Sequence, residues 1–544
     1  MINNINAYSN INLIKAYQQR QQQNKKPQQP VQQQTKPLTT TNEPQKQPDL
    51  KPTKTSIFYV NDVHGKMTNM ERIYAIAKEF DNSKEKDTDK LKLASGDIIL
   101  GANYTSNQVA NRFLNWIGVS ANALGNHELD VVPKNLASLM DNANYKLLAI
   151  NASVDASSPM AGKIGKSIIE ERNGQKYGII GIAPSDMAER VKLNDSVKDI
   201  KIDDFPTTIK KVQEEVDRLK GEGINKIILL SHSGFKHDKK MAQETSGIDV
   251  ILGAHTHDLI TGIKEGENLF YSKTGEPVVI TQAGKDGENV GILNLEFTPG
   301  GVISKIQNNV IKTRSYSRNL SSRSAVESII GKPEILGKVT STVAPPKERL
   351  IENNPHGNII ADAMRSELGT DIAILNAGNI RGHFDLGPVD SRLINDITPF
   401  EDKMLIGKLS EKEIVDAIKV GGQSFVRTGH KPGILLVSGL KYTMTDKGEL
   451  KALSYIDKAG KETSIDINNP GTERKFTVAM DDFFATGGDN YLPTNENPDF
   501  IIKKFNIDKN KLACDYIKKM QGTFEVKNDD RVKIINHDTP VNAA

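Results

Sequence analysis

Five stretches of this chain end a short apolar run in residues that bind metals or move protons. IFYV (57–60) runs into Asn61-Asp62-Val63-His64, and LKLA (91–94) into Ser95-Gly96-Asp97. Ala123 and Leu124 lead to Gly125-Asn126-His127-Glu128-Leu129-Asp130. IILL (227–230) runs into Ser231-His232, and VIL (250–252) passes Gly253 and Ala254 to His255-Thr256-His257. Of the ten histidines in the chain, five stand at these places. Any one alone reads most simply as a hydrogen-bonded loop or core histidine. Five of them, joined by two aspartates and an asparagine, strain that reading. Imidazole with carboxylate and amide oxygen, and no sulfur, is a ligand set for Mn, Zn, Fe or Co rather than for a structural zinc site. The donors exceed what one ion takes. Two ions sharing a carboxylate is the economical arrangement, and it is how enzymes clamp both oxygens of a phosphoryl displacement.

The elements that must position these residues follow from the same runs. Short stretches that are apolar at every position read as buried strands, and in open α/β sheets ligands gather at the carboxyl ends of strands. Asp62 and His64 are two apart, as are His255 and His257, so on extended backbone each pair points to one side. Between the runs, Ile73, Ile76, Ala77 and Phe80 keep helical spacing, as do Ile209, Val212, Val216 and Leu219, the latter stopped by Gly221 and Gly223. Strands alternating with helices make an α/β domain, read here as 54–312. A polar Ser/Arg-rich stretch opens a linker (313–333). A second domain (334–538) has a helix at about 357–368 ending at Gly369, and a capping box of Ser410 and Glu413.

Bulk properties narrow the function. The chain has 544 residues, 37% hydrophobic and 26% charged, too long for one core and ordinary for a globular protein. One cysteine excludes an internal disulfide and a thiolate-rich metal site. Residues 1–54 hold eight basic and two acidic residues, leaving 63 Lys+Arg against 66 Asp+Glu for the remainder. A body of net charge −3 argues against nucleic acid as a partner. The Gln/Pro-rich residues 1–53 read as a disordered tail. No run is long enough to span a membrane. The first residues lack the early positive charge and apolar core of a signal peptide, which implies a cytoplasmic address. HELD is not the zinc-protease helix, because Val131 stands where a second histidine is required.

NDVHG, SGD, GNHELD, LLSHSG and GAHTH, in this order, resemble the five signatures of the metallophosphoesterase superfamily. With the second domain, the chain resembles the bacterial 5′-nucleotidase / UDP-sugar hydrolase family, whose members are usually exported. The resemblance implies a four-layer α/β/β/α sandwich followed by a smaller mixed α/β nucleotide-binding domain. It implies two divalent ions, one held by Asp62, His64, Asp97 and His257, the other by Asp97, Asn126, His232 and His255. His127 and Asp130 would be the catalytic pair, with His127 kept off the metals. Asn126, being neutral, completes a site without adding negative charge near an anionic substrate.

NAGNIRG (376–382), TPFED (398–402) and DDFFATGGDNY (481–491) resemble the C-terminal domain of the same family. By that resemblance Phe400 and Phe483 sandwich a base, Asp489 accepts from ribose hydroxyls, and Asn376 and Arg381 contact base and phosphate. Family members often carry Asn where Asp402 stands, and Phe484 beside Phe483 leaves the register of the stacking ring open. The implied activity is release of phosphate from nucleoside 5′-monophosphates, with UDP-sugars as further substrates. The alternatives are 2′,3′-cyclic-nucleotide phosphodiesterase/3′-nucleotidase activity and a non-catalytic nucleotide-binding protein.

Overall fold

IFYV, IILL and VIL leave no polar face, so each strand must be covered on both sides, as in parallel sheets. The computed structural model describes residues 13–24, 51–85, 87–101, 103–186, 199–317, 320–429, 431–492, 500–520 and 522–538, and shows what covers them. β1 (Thr53–Val60), β2 (Thr88–Ala94) and β3 (Ala121–Ala123) are parallel neighbours in a seven-stranded sheet. β4 (Ile227–Ser231) and β5 (Val250–Leu252) are parallel neighbours in a six-stranded one. Ile57, Leu91 and Leu93 from the first sheet share one buried cluster with Ile228, Leu230 and Leu252 from the second. Alternate residues face outward. Ile227, Leu229 and Ile251 pack with Val212, Val216 and Leu219 of the helix Phe205–Gly221. Phe58 meets Phe80 of the helix Met67–Asn82 with ring centroids 5.7 Å apart. Helix, sheet, sheet and helix make the four-layer sandwich that the motifs implied.

The chain forms two compact units, Met1–Ile329 and Ile330–Ala544. In the second, a five-stranded sheet has the order Leu435–Ser438, β6 (Ile372–Asn376), β8 (Lys475–Asp481), β7 (Lys403–Ser410) and β9 (Ile501–Asp508). β6 runs parallel to β8, while β7 runs antiparallel to both β8 and β9. The carboxyl ends of β6, β8 and β9 therefore lie at the same end of the sheet as the amino end of β7. That topology brings NAGNIRG, TPFED and DDFFATGGDNY together from three distant parts of the sequence. The helix Pro355–Leu368 stops at Gly369, whose φ of 68° suits a residue without a Cβ. The capping box at Ser410 and Glu413 forms as the sequence indicates.

One expectation is corrected. Within the stretch read as a disordered tail, Leu13–Asn24 is a helix. Leu13 is 1% exposed and belongs to the cluster between the sheets. The Arg20 guanidinium lies 3.6 Å from the Tyr271 ring centroid and 3.2 Å from Glu265 Oε1, and Gln21 Nε2 donates to the Thr274 carbonyl at 2.6 Å. A glutamine-rich average hid these anchors, because composition does not register one buried leucine or single side-chain contacts. The rest of that tail, 1–12 and 25–50, lies outside the described residues. The stretch read as a linker carries the helix Leu320–Ile330. No helix among the described residues is long and apolar enough to cross a membrane.

Truncating a fully buried leucine costs about 2–5 kcal/mol. Leu13→Ala is accordingly expected to lower the melting temperature of the first unit in calorimetry, whereas Gln18→Ala, on the exposed side of the same helix, leaves it unchanged. A solvated tail would be insensitive to both.

Candidate metal centre

β1 ends at Val60, and the backbone then turns left-handed at Asp62 (φ 49°) and at His64 (φ 53°). Asp97 (53°), His255 (75°) and His257 (60°) do the same. These are five of the ten described non-glycine residues with positive φ, and all ten are Asp, Asn or His. That conformation costs roughly 1–2 kcal/mol for an L-residue and is least unfavourable for these short polar side chains. The expectation that Asp62 and His64, or His255 and His257, converge along extended backbone is thus corrected. They converge because the chain reverses hand at each of them, and strain of this kind clusters at functional sites.

The side chains meet at one point. Asp97 Oδ2 lies 3.0 Å from His232 Nε2 and 3.7 Å from His64 Nε2. Asp62 Oδ1 lies 3.4 Å from His257 Nε2 and 3.9 Å from both His64 Nε2 and His232 Nε2. Asn126 Oδ1 stands 2.9 Å from His255 Nδ1. Three groups have donor atoms all within 4.8 Å of one another: Asp62, His64 and His257; His64, Asp97 and His127; Asp97, His232 and His255. His64 Nε2 and His232 Nε2 are buried and make no hydrogen bond. Orphaned buried nitrogens are costly, and here both face carboxylates. The donor set therefore fits divalent cations; these groups contain six of the seven residues named as ligands from sequence, with Asn126 beside His255, and they also contain His127.

His127 and Asp130 open and close a single 3₁₀ turn, in which side chains three apart eclipse, and His127 Nδ1 contacts Asp130 Oδ2. The turn is seated by Glu128, a residue the sequence reading did not use. Its carboxylate accepts from the backbone N–H of Asp97 (3.0 Å), Ile98 (3.0 Å) and Gly125 (2.9 Å). The His127 N–H donates to Asp97 Oδ1 at 2.9 Å. A Cβ on Gly125 would stand 2.2 Å from Asp97 Oδ1, and one on Gly101, itself at φ 95°, would stand 2.1 Å from the Asp130 Cβ. Both glycines are required by close approach.

A surrounding layer aims the imidazoles. His64 Nδ1 is 2.9 Å from Asp286 Oδ1, and His232 Nδ1 is 2.7 Å from the Ser95 carbonyl, which turns each Nε2 toward the centre. Asn61 Nδ2 donates to Asp62 Oδ2 at 2.7 Å. Asp286 follows a sixth strand end, Pro277–Thr281, in GKDG, and that strand-end aspartate was the available sequence signal.

Carboxylates and imidazoles shift one another's titration here. Burial alone would lower both histidines. Asp286 and Asp97 instead push His64 up to about 9, and Asp97 and Asp62 push His232 up to about 10. Burial alone would raise Asp97, yet His232 and His127 hold it well below the usual carboxylate range. Burial, with Asp97 nearby, pushes Glu128 up to about 7.

In the second unit, the Arg381 guanidinium lies 5.3 Å from the Phe400 ring centroid, and Arg381 Nε donates to the Gly378 carbonyl at 2.8 Å. Asn376 accepts from Asn379. Phe484 is 1% exposed and stacks on Tyr491 at 5.1 Å, whereas Phe483 is half-buried. A Cβ on Gly488, next to Asp489, would stand 2.7 Å from the Phe483 ring. Of the two rings, Phe484 is thus the core residue and Phe483 the partly exposed one.

Residues 55–259 match the calcineurin-like phosphoesterase family, and residues 336–495 match the C-terminal domain of 5′-nucleotidases. The chain belongs to the 5′-nucleotidase family. A snake venom 5′-nucleotidase of Gloydius brevicauda is 26% identical over 86% of this chain and 87% of its own. A trifunctional nucleotide phosphoesterase protein of Bacillus subtilis is 26% identical over 80% of this chain, which spans only 32% of that protein's length. The fold is that of a 5′-nucleotidase precursor from Thermus thermophilus, with a TM-score of 0.65 and 22% identity over 89% of this chain and 100% of that one. This member of the 5′-nucleotidase family is a metal-dependent phosphoric ester hydrolase.

Cations must displace the protons that the buried imidazoles otherwise hold. Titration calorimetry of Mn²⁺ binding in buffers of different ionisation enthalpy is expected to show proton release, and affinity is expected to rise between pH 6 and about 9. Asp97→Ala, which removes the carboxylate nearest His232, is expected to abolish uptake.

Proposed function

We propose that the protein hydrolyses the 5′-phosphate ester of nucleotides, with two divalent ions in its first unit and the base recognised by its second. One observation carries the reading. Two buried carboxylates and two orphaned imidazole nitrogens converge beside the His127–Asp130 pair, in a chain whose other unit leaves Phe483 partly exposed. Asp62, His64, Asp97 and His257 would hold one ion and Asp97, Asn126, His232 and His255 the other, with Asp97 shared. The ions would be Mn, Zn, Co or Fe, as the nitrogen and oxygen donors indicate. When bound, such ions polarise phosphoryl oxygens and lower the pKa of water.

The remaining work belongs to side chains. Asp130 accepts from His127 Nδ1 and fixes the ring, so that Nε2 is the nitrogen able to offer a proton to a phosphoryl oxygen or to the departing 5′ oxygen. Glu128 holds the turn in place through three backbone N–H groups. Asn126 supplies an amide oxygen without a further negative charge to repel the substrate. Phe400 and Phe483 grip any base between flat rings, giving affinity with little discrimination. Asp489 accepts from the ribose hydroxyls, and Asn376 and Arg381 contact base and phosphate.

His127→Ala is expected to lose roughly 10²–10⁴ in rate while metal content stays unchanged. Parallel loss of metal would reassign His127 as a ligand, a role for which its closeness to His64 and Asp97 makes it eligible. In a panel of AMP, UDP-glucose, 2′,3′-cyclic AMP and a dinucleotide, AMP is expected to turn over fastest. Phe400→Ala and Phe483→Ala should each weaken kcat/KM for AMP by roughly 5- to 150-fold, the scale of one lost base stack. Glycerol phosphate, which has no base, should stay within about twofold.

A further inference from the structure

Lys509 is 0% exposed and is the first residue of the helix Lys509–Lys519. Both facts work against a cation. Burial removes its hydration, and the first turn of a helix presents the positive end of the macrodipole. Two carboxylates offset the cost: Asp402 Oδ2 at 2.9 Å and Asp481 Oδ2 at 3.3 Å from Nζ. Burial alone would lower Lys509, and Asp481 and Asp402 outweigh it and hold the ammonium above its ordinary value.

What these carboxylates are attached to gives the arrangement its meaning. Asp402 follows Phe400 by two residues, and Asp481 precedes Phe483 by two. The ladder between β7 and β8 closes with the pair Met404 and Asp481. Past it, both ring-bearing segments have left the sheet, and side chains must hold them. Asp481 Oδ1 caps the next helical turn by accepting from Phe484 N at 3.0 Å, while its Oδ2 accepts from Asn379 Nδ2 at 3.2 Å. One ammonium thus joins the loop before β7 to the turn after β8, and through Asn379 to the segment of Asn376 and Arg381.

We propose that Lys509 is a positioning residue for base recognition, setting the separation of Phe400 and Phe483 through Asp402 and Asp481. The proposal rests on the reading of those two rings as the base-holding pair. It also accounts for a carboxylate at 402, where a neutral side chain would do for a loop without a buried counter-charge.

The test uses the full-length, Mn²⁺-loaded enzyme and compares AMP with glycerol phosphate. Lys509→Met is expected to raise KM for AMP by roughly 5- to 150-fold, as for one lost stack, with kcat within about threefold and glycerol phosphate within about twofold. Adding Asp402→Asn is expected to recover part of the loss, because it removes a carboxylate left without its partner. An unchanged KM for AMP, or equal losses on both substrates, overturns the proposal. Phe400→Ala and Phe483→Ala are measured alongside. If they spare AMP, the base-holding reading fails and the role of Lys509 with it. If they impair AMP while Lys509→Met does not, only the Lys509 proposal falls. Should Lys509→Met not fold, Asp402→Asn alone, which keeps the pair with Asp481, is expected to raise KM for AMP in the same direction, and no change there overturns the proposal.

Discussion

Two carboxylates that cannot be left without positive charge organise the first unit. Asp62 is 0% exposed and Asp97 2%, each raises the cost of ionising the other, and each lies within 3.9 Å of both His64 and His232. At low effective dielectric such a pair is tolerable only with cations between or beside them. The strand-end turns, the glycines that let Asp97 and Asp130 approach, and the outer partners of the imidazoles all follow from that demand. Glu128 follows too, since a third buried carboxyl so close is acceptable only because three backbone N–H groups point at it.

The strands and the residues at their ends were legible because two strong patterns coincide there: all-apolar runs and side chains that water would otherwise keep. Backbone hand was not legible. The spacing of Asp62 and His64 suits an extended segment, and although Asn, Asp, His and Gly all tolerate the reversal, NDVHG does not show where it falls. Asp286 was missed because its strand, Pro277–Thr281, ends in QAGKDG, where a single carboxylate looks like turn chemistry. The docked helix Leu13–Asn24 was missed for a different reason. Composition averages over a window, whereas Leu13, Arg20 and Gln21 are among the individual residues that hold the helix.

In the second unit the three motifs could be read, but the reason they meet could not. Strand order and direction decide it: β6 and β8 parallel, β7 reversed between β8 and β9. The choice between Phe483 and Phe484 also needed the fold, because adjacent residues on a helical turn differ only in which one meets Tyr491. Lys509 carried no signal in sequence. A lysine after an aspartate at a strand end reads as solvated surface, and only the ends of β7 and β8 reveal it as enclosed.

The dispersal of the centre along the chain constrains how it can be made. Its members begin at Asp62, and the last imidazoles and Asp286 come only after the second sheet's strands Val250–Leu252 and Pro277–Thr281. At synthesis rates of about 5–20 residues per second, about 10–45 s separate the emergence of Asp62 from that of Asp286. During that interval the nascent chain exposes acidic and imidazole groups that have no enclosed pocket to share. A centre built from the strand ends of both sheets can therefore form only when those sheets close on each other, after most of the first unit has left the ribosome.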